Sequence, residues 1–139
     1  FIDNEDFFGR KGVFTDEKGT YYEDNVERAV FFIRGVFETV KKLRWVPDVI
    51  HCHGWFTGLA PLYLRTLLKD DPALSRAKIV YSAYDTAPEY PFDEQLTEVL
   101  AYDQIKHPLL DGQALNREAL VELILQYVDG IIYSKTKRI

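Results

Sequence analysis

Two histidines separated by one residue are the side chains in this sequence best suited to chemistry. His51 and His53 flank Cys52, and residues two apart on a strand point to the same face. Imidazoles at that spacing can chelate a metal ion, and His107 would be a third ligand. Zinc sites use three or four protein ligands, and Cys52 would point away, so the sequence does not predict a metal site. We expect both imidazoles to form hydrogen bonds at a strand end.

The residues after His53 mark the end of a strand and the start of a helix. Gly54 interrupts a short apolar run, Trp55 follows it, and helical spacing of apolar residues begins at Leu59 and extends through Leu67. A strand, a glycine turn and a helix form the first half of a βαβ unit. Ligands of open α/β sheets bind beyond the carboxyl ends of strands, beside helix N-termini. The sequence therefore predicts a binding site at this junction.

Other patterns with known chemistry are absent from the sequence or weak. It contains no GxGxxG, Walker, GxSxG or HExxH motif. Four acidic residues lie close together, namely Glu89, Asp93, Glu94 and Glu98. They are spread over a predicted loop and helix, so we interpret them as a solvated face rather than an acid–base pair. Trp55 could stack on a sugar ring, although aromatic residues are more common in protein cores.

The elements that must position these residues alternate between helix and strand. Apolar spacing predicts helices over 23–43, from 59 onward, over 116–128 and, more weakly, over 92–102. The predicted strands are one that ends before Gly54, then 78–83 and 131–134. This alternation predicts a parallel sheet covered by helices on both faces. Residues 1–22 show no sustained period, so we expect a surface loop there, without helix or strand.

Length, charge and cysteine content narrow the functional classes. The 139 residues correspond to one domain or a part of one, and a chain that lacks methionine and begins with Phe1 resembles an excised segment. A net charge of −5 argues against a nucleic-acid surface. No apolar run is long enough to predict a membrane span. The single cysteine allows no internal disulfide, which fits a reducing compartment, so we expect a cytoplasmic location.

Two longer motifs occur in order along the chain, YYEDNVERAVFF and WVPDVIHCHGWFTGLAPLYL. With the opening FIDN, they resemble the N-terminal domain of bacterial glycogen synthase and plant starch synthase, which form glycosyltransferase family 5. The family pattern D-N-x-x-R-x-x-F is matched by Asp24, Asn25, Arg28 and Phe31. The pattern P-D-[IV]-[IV]-H-x-H-D-W-H-x-[GA] is matched by Pro47, Asp48, Val49, Ile50, His51, His53, Trp55 and Gly58. The resemblance covers nearly the whole chain.

The resemblance implies a GT-B glycosyltransferase, in which two Rossmann-like domains enclose a cleft. Such enzymes transfer glucose from a nucleotide-glucose, usually ADP-glucose in bacteria, to the non-reducing end of an α-1,4-glucan with retention of configuration. They use no catalytic metal and no cofactor besides the nucleotide sugar. On this view, residues 1–139 form a single partial domain, the N-terminal, acceptor-side Rossmann-like domain. Its first strand or strands and the entire C-terminal domain would be missing, so we expect the isolated chain to be inactive.

Several positions depart from the family pattern. Gly54 stands where the family has aspartate, and Phe56 stands where it has histidine. Tyr84 and Asp85 stand where a family strand ends in His-Asn. Because the surrounding motifs are kept, we identify the chain as a divergent bacterial member. The expected substrate-binding residues are His53, Gly54, Trp55, Tyr84 and Asp85, and no catalytic residue is assigned.

Alternatives remain open for the function and for the departing residues. The chain could belong to another GT-B glycosyltransferase with a different donor or acceptor, or to a non-catalytic glucan-binding module. The expected partners are a nucleotide-glucose donor, an α-glucan acceptor and the C-terminal domain of the same chain, with no nucleic acid and no membrane. If the first two strands are neighbours, Tyr84 and Asp85 lie beside Gly54. Alternatively, Tyr84 packs under the next loop and Asp85 caps a turn.

Overall fold

The computed structural model describes residues 5–9, 12–84, 91–92, 95–105 and 116–134. Its sheet contains three strands, β1 (Val49–His53), β2 (Lys78–Tyr84) and β3 (Gly130–Ser134), in the order β1-β2-β3. All pairs are parallel, with His53 opposite Ser82 and Tyr84 opposite Ser134. The predicted parallel sheet and the predicted adjacency of its first two strands are confirmed. The carboxyl ends of β1 and β2 therefore lie side by side.

Helices in the described ranges are α1 (Glu5–Phe8), α2 (Asn25–Lys42), α3 (Ala60–Arg65), α4 (Gln95–Tyr102) and α5 (Arg117–Leu125). A short 3-10 turn, Trp55–Thr57, separates β1 from α3. Helix α2 packs against α4, and α3 packs against α5. Because α3 and α5 belong to consecutive crossovers between neighbouring parallel strands, the right-handed rule places them on one face of the sheet. None of the described helices is long and apolar enough to cross a bilayer.

Helix α2 shows why the sequence pattern predicted it well. Its buried residues recur at three- and four-residue steps, as the apolar stripe of a helix packed on a core does. They include Val26, Ala29, Val30, Ile33 and Phe37. Lys41 and Lys42 lie in the last turn, where cations complement the helix dipole. Asp24 occupies the N-cap position without a side-chain capping bond, and Asn25 donates its side-chain amide to Phe14 O at 3.1 Å.

The prediction that residues 1–22 contain neither helix nor strand is wrong. Glu5–Phe8 form a short helix, and Thr15 and Tyr21 form an isolated antiparallel bridge. The ring of Phe8 packs on α2, with its centroid 6.0 Å from Phe31 and 6.5 Å from Phe32. These contacts join residues more than twenty positions apart, so a period within the segment does not reveal them.

The helix after Gly54 is shorter than its apolar spacing predicted. It ends at Arg65, and Leu67 is exposed. Thr66 leaves the helical conformation with φ −117° and ψ −81°, and its hydroxyl donates to Leu62 O at 2.6 Å. A threonine side chain that bonds to the preceding turn competes with helix continuation. The apolar residue at position 67 therefore continues the spacing without continuing the helix.

Asp129 connects the start of β3 to β2 and α3. Its backbone amide donates to Ile79 O at 2.8 Å, and its Oδ2 accepts from Ile79 N at 2.8 Å. The same oxygen accepts from Arg65 Nη2 at 3.0 Å. The Ile79 amide, followed by the charges of Arg65 and Lys78, holds the pKa of the Asp129 carboxyl below its usual value. The ionised carboxylate therefore stabilises the folded state.

The variant Asp129→Asn should lower the free energy of unfolding at neutral pH, and the loss should shrink in acid. The folded-state pKa of Asp129 lies below its unfolded-state value of about 4. Its stabilisation is therefore fully present above about pH 4 and is lost as the pH falls through the folded-state pKa. Urea unfolding across this range, with the exposed Asp70→Asn as a control, measures the effect. A destabilisation by Asp129→Asn that stays constant with pH would contradict the carboxylate's role.

Candidate functional site

Three of the predicted substrate-binding residues meet at the carboxyl ends of β1 and β2. His53 Nδ1 lies 2.9 Å from the Tyr84 hydroxyl oxygen, and the two rings are nearly parallel, at 16°. Gly54 N donates to Ser82 O at 3.0 Å, which extends the ladder one residue beyond β1. The prediction that Tyr84 lies beside the Gly54 junction is confirmed. The side chains of His53 and Tyr84 are exposed, so they are open to a ligand.

The two histidines of β1 lie side by side on one face, as their spacing predicted. Their ring centroids are 3.9 Å apart, and His51 Nε2 lies 2.7 Å from Ser82 Oγ. Each imidazole thus shares a hydrogen bond with a hydroxyl group of β2, and the prediction of hydrogen-bonded imidazoles at this strand end is confirmed. No three His, Cys, Asp or Glu side chains in the described ranges converge on a metal-binding arrangement. His107 lies outside those ranges.

Gly54 adopts a backbone conformation that favours glycine. Its φ is 78° and its ψ is 168°, a combination that side-chain-bearing residues rarely adopt. This conformation turns the chain from β1 into the 3-10 turn. The Thr57 hydroxyl fixes the turn, since Oγ1 lies 2.9 Å from His53 O and 3.1 Å from Gly54 O. The glycine at the position of the family's aspartate thus allows a specific backbone path.

The variant Gly54→Ala should lower the free energy of unfolding by about 1–3 kcal/mol. The cost comes from the positive φ, because an added Cβ would lie 3.8 Å from Tyr84 Cδ2, an ordinary contact distance. Gly130→Ala is the matched control on β3, where the added Cβ would lie 4.0 Å from Val80 Cγ2. Denaturant unfolding compares the two variants. Equal stability for both would show that the Gly54 conformation does not require glycine.

Trp55 lies at the same junction but in a different environment, because its indole is buried. Its relative exposure is 7%. The ring centroid lies 4.7 Å from that of Phe14 and 5.5 Å from that of Phe92. Both neighbours are protein side chains, so the indole holds the turn against the core. In this arrangement Trp55 would affect a ligand through the position of the turn.

Phe56 belongs to a cluster around a buried arginine. The Arg28 guanidinium carbon lies 5.5 Å from the ring centroid of Phe8, 5.0 Å from that of Tyr22 and 5.7 Å from that of Phe56. Arg28 is only 2% exposed. We call these four residues the Arg28 cluster. An arginine surrounded by aromatic faces gains cation–π stabilisation that strengthens as water is excluded. Phe56 therefore has a packing role at the position of the family's histidine.

Hydrogen bonds tie Arg28 to the segment that precedes α2. Its Nη1 donates to Asn25 Oδ1, and its Nη2 donates to Val13 O at 2.6 Å. Asn25 is itself bonded to Phe14 O, so two residues of the first motif hold the same segment. Sequence reasoning identified Arg28 only as a motif match. A charged residue within the apolar stripe of α2 was the signal that it is buried with partners.

The side chains of the remaining candidates point away from the junction, or the residues lie outside the described ranges. Cys52 points to the buried face of the sheet, and burial raises the pKa of its thiol to about 11. The thiol is therefore protonated at neutral pH and is not a nucleophile. Asp85 lies outside the described residues, as do Glu89, Asp93 and Glu94. Glu98 is exposed on α4, in agreement with a solvated face.

The sequence that forms this sheet and junction matches a known protein family. Residues 1–131 match the family model described as the starch synthase catalytic domain. A glycogen synthase of Chlorobium limicola is 42% identical over 86 residues, which cover 61% of this chain and 18% of that protein. A glycogen synthase of Thermodesulfovibrio yellowstonii is 36% identical over 104 residues, which cover 75% and 21% of the two chains. Glycogen synthase 2 of Geobacter sulfurreducens is 38% identical over 86 residues, or 62% and 18%.

The curated relatives are much longer than this chain, whereas the family model covers nearly all of it. The chain spans about a fifth of the length of the curated relatives it matches. The family model, in contrast, covers all but the last few residues of the chain. The resemblance inferred from the two sequence motifs is confirmed, and this chain belongs to the glycogen and starch synthase family, within the region of its catalytic domain.

Proposed function

We propose that the protein carrying this chain transfers glucose from a nucleotide-glucose, ADP-glucose in the first instance, to the non-reducing end of an α-1,4-glucan with retention of configuration. The observation that carries the proposal is the His53–Gly54–Tyr84 junction, where exposed polar groups meet at the carboxyl ends of two parallel strands. Ligands of open α/β sheets bind at this position. The names of the relatives, glycogen synthases, supply the reaction.

Each residue of the junction has a distinct part in this proposal. His53 offers Nε2, which has no hydrogen-bond partner among the described residues, to a sugar hydroxyl. Gly54 lets the ligand approach the backbone closely, because it has no side chain. Trp55 holds the turn against the core through its buried indole, and Tyr84, which is 41% exposed, lines the edge of the site. We propose Asp85, the next residue in the sequence, as a further binding residue.

The rest of the reaction requires groups that this chain does not supply on its own. We propose that a second, C-terminal Rossmann-like domain of the same protein binds most of the donor, as the family resemblance implies. Positioning and charge stabilisation would then carry the catalysis, without a metal or another cofactor. The isolated chain 1–139 would be inactive for this reason. We further propose a cytoplasmic location, with glucan and nucleotide sugar as partners.

Transfer of labelled glucose tests this function directly. The full-length protein, given glycogen and either labelled ADP-glucose or UDP-glucose, should incorporate label, whereas the chain 1–139 alone should match a no-protein blank. Release of the incorporated label by an enzyme specific for α-1,4 bonds would establish retention. If the full-length protein incorporated no label from either donor, the proposal that it synthesises glycogen would be wrong. Incorporation by the isolated chain would contradict the need for a second domain.

The departures from the family pattern favour a second candidate, another GT-B glycosyltransferase with a different donor or acceptor. Phe56 packs in the Arg28 cluster, and Tyr84 engages His53, so both positions differ in chemistry from the family's histidines. A panel of nucleotide sugars and acceptors distinguishes the two enzymes. Binding of glucan without transfer from any donor would instead indicate a non-catalytic glucan-binding module.

A further inference from the structure

We propose that Tyr84 is a positioning residue that fixes the ring tautomer of His53. In this arrangement the Tyr84 hydroxyl donates to His53 Nδ1, so that Nε2 carries the proton and acts as a hydrogen-bond donor to the ligand. The geometry is the 2.9 Å contact between these two atoms at the exposed end of the sheet. This inference deepens the proposed function, since it assigns how the same site recognises a sugar oxygen.

The direction of this hydrogen bond follows from the chemistry of the two groups. A neutral imidazole has one N–H donor and one nitrogen acceptor, and the partner of one nitrogen determines which of them carries the proton. A phenol O–H is a good donor, and a bare imidazole nitrogen is a better acceptor than a phenol oxygen. The Tyr84 hydroxyl therefore donates to Nδ1, which leaves the proton on Nε2.

The neighbouring residues hold the His53 ring in this orientation. The ring of His51 has its centroid 3.9 Å from that of His53, and His51 is itself bonded to Ser82. The nearly parallel ring of Tyr84 has its centroid 6.3 Å from that of His53. Two hydroxyl groups of β2, on Ser82 and Tyr84, thus orient two imidazoles of β1 in a repeated pattern. A ring that is already held by such contacts loses little freedom when a ligand binds.

The tautomer of His53 determines which group of the ligand it can bind. A protonated Nε2 requires an acceptor, so His53 would bind a sugar hydroxyl through its oxygen lone pair rather than through its hydrogen. Tyr84, whose hydroxyl is engaged by His53, acts on the ligand through that histidine. This explains how a tyrosine can serve at the position where the family has a histidine.

A double-mutant cycle in the full-length protein tests whether Tyr84 acts through His53. Tyr84→Phe should lower kcat/KM for glucosyl transfer about tenfold. In a His53→Asn background the same change should have less than about a twofold effect, because the group on which Tyr84 acts is gone. Tyr102→Phe, at a tyrosine of α4 that is 88% exposed, is the matched control and should leave kcat/KM unchanged. Equal effects of Tyr84→Phe in both backgrounds would overturn the proposal.

A spectroscopic measurement tests the tautomer without depending on activity. In the full-length protein, ¹⁵N-labelled imidazole signals can be assigned to His53 by their loss in His53→Asn. Wild-type protein at a pH where the ring is neutral should show the tautomer protonated at Nε2, and Tyr84→Phe should show a mixture. A wild-type ring protonated at Nδ1 would overturn the inference. Because this readout needs no substrate, it separates a wrong tautomer from a wrong reaction.

Discussion

His53→Ala in the full-length protein should lower kcat/KM for glucosyl transfer by about 100-fold, which corresponds to about 2.7 kcal/mol of transition-state stabilisation. The physical reason is that His53 is an exposed polar group held in a fixed orientation at the end of β1. It is oriented by Tyr84 at 2.9 Å and lies beside His51, with ring centroids 3.9 Å apart. A preorganised donor stabilises developing charge more than a mobile one does.

Val49→Ala is the matched control for this prediction. Val49 lies on the same strand and the same face as His53, at the amino end of β1, and is 56% exposed. It should leave transfer unchanged, and both variants should keep the wild-type melting temperature, since both side chains are exposed. If His53→Ala kept wild-type kcat/KM, or if its loss of activity followed a loss of folded protein, His53 would not be a binding residue.

Arg28→Ala should lower the free energy of unfolding by about 3 kcal/mol. The change would leave the buried Asn25 side chain without its bond from Arg28, and it would remove the bond from Arg28 to Val13 O. It would also remove the cation around which Phe8, Tyr22 and Phe56 pack. A buried polar group that loses its partner keeps the full cost of its desolvation.

Two further variants make the Arg28 experiment specific. Arg28→Lys keeps the charge but cannot reproduce the planar two-armed donor, so it should recover only part of the loss. Arg76→Ala removes an exposed arginine before β2 and should change the free energy of unfolding by less than about 0.5 kcal/mol. Chemical denaturation measures all three. A destabilisation by Arg28→Ala no greater than that of Arg76→Ala would show that the Arg28 cluster contributes little.

The architecture and the place of the junction were predictable from the sequence because they depend on local patterns. The period of α2, the short apolar run before Gly54 and the strand at 78–83 each identify an element within its own segment. The rule that consecutive strands are neighbours then placed Tyr84 beside Gly54. The register of the parallel pairing determines how Tyr84 lies relative to His53, since Tyr84 is two residues beyond Ser82, the partner of His53.

Features that depend on contacts between distant segments could not be predicted in the same way. Helix α1 is held by rings of α2, and Arg28 binds the carbonyl of Val13, fifteen residues earlier. Trp55 has the same residue type whether it stacks on a sugar or fills a core, and only its burial against Phe14 and Phe92 distinguishes the two. The hydrogen bond between His53 and Tyr84 likewise required the actual side-chain geometry.

A structure of the full-length protein bound to a nucleotide-glucose and a short α-1,4-glucan tests the central claim most directly. We expect a sugar bound at the carboxyl ends of β1 and β2, with one of its hydroxyl oxygens about 2.7–3.2 Å from His53 Nε2. We also expect this sugar to pass close to the backbone of Gly54. A complex in which both sugars bind elsewhere, and His53 and Tyr84 remain open to solvent, would contradict the account.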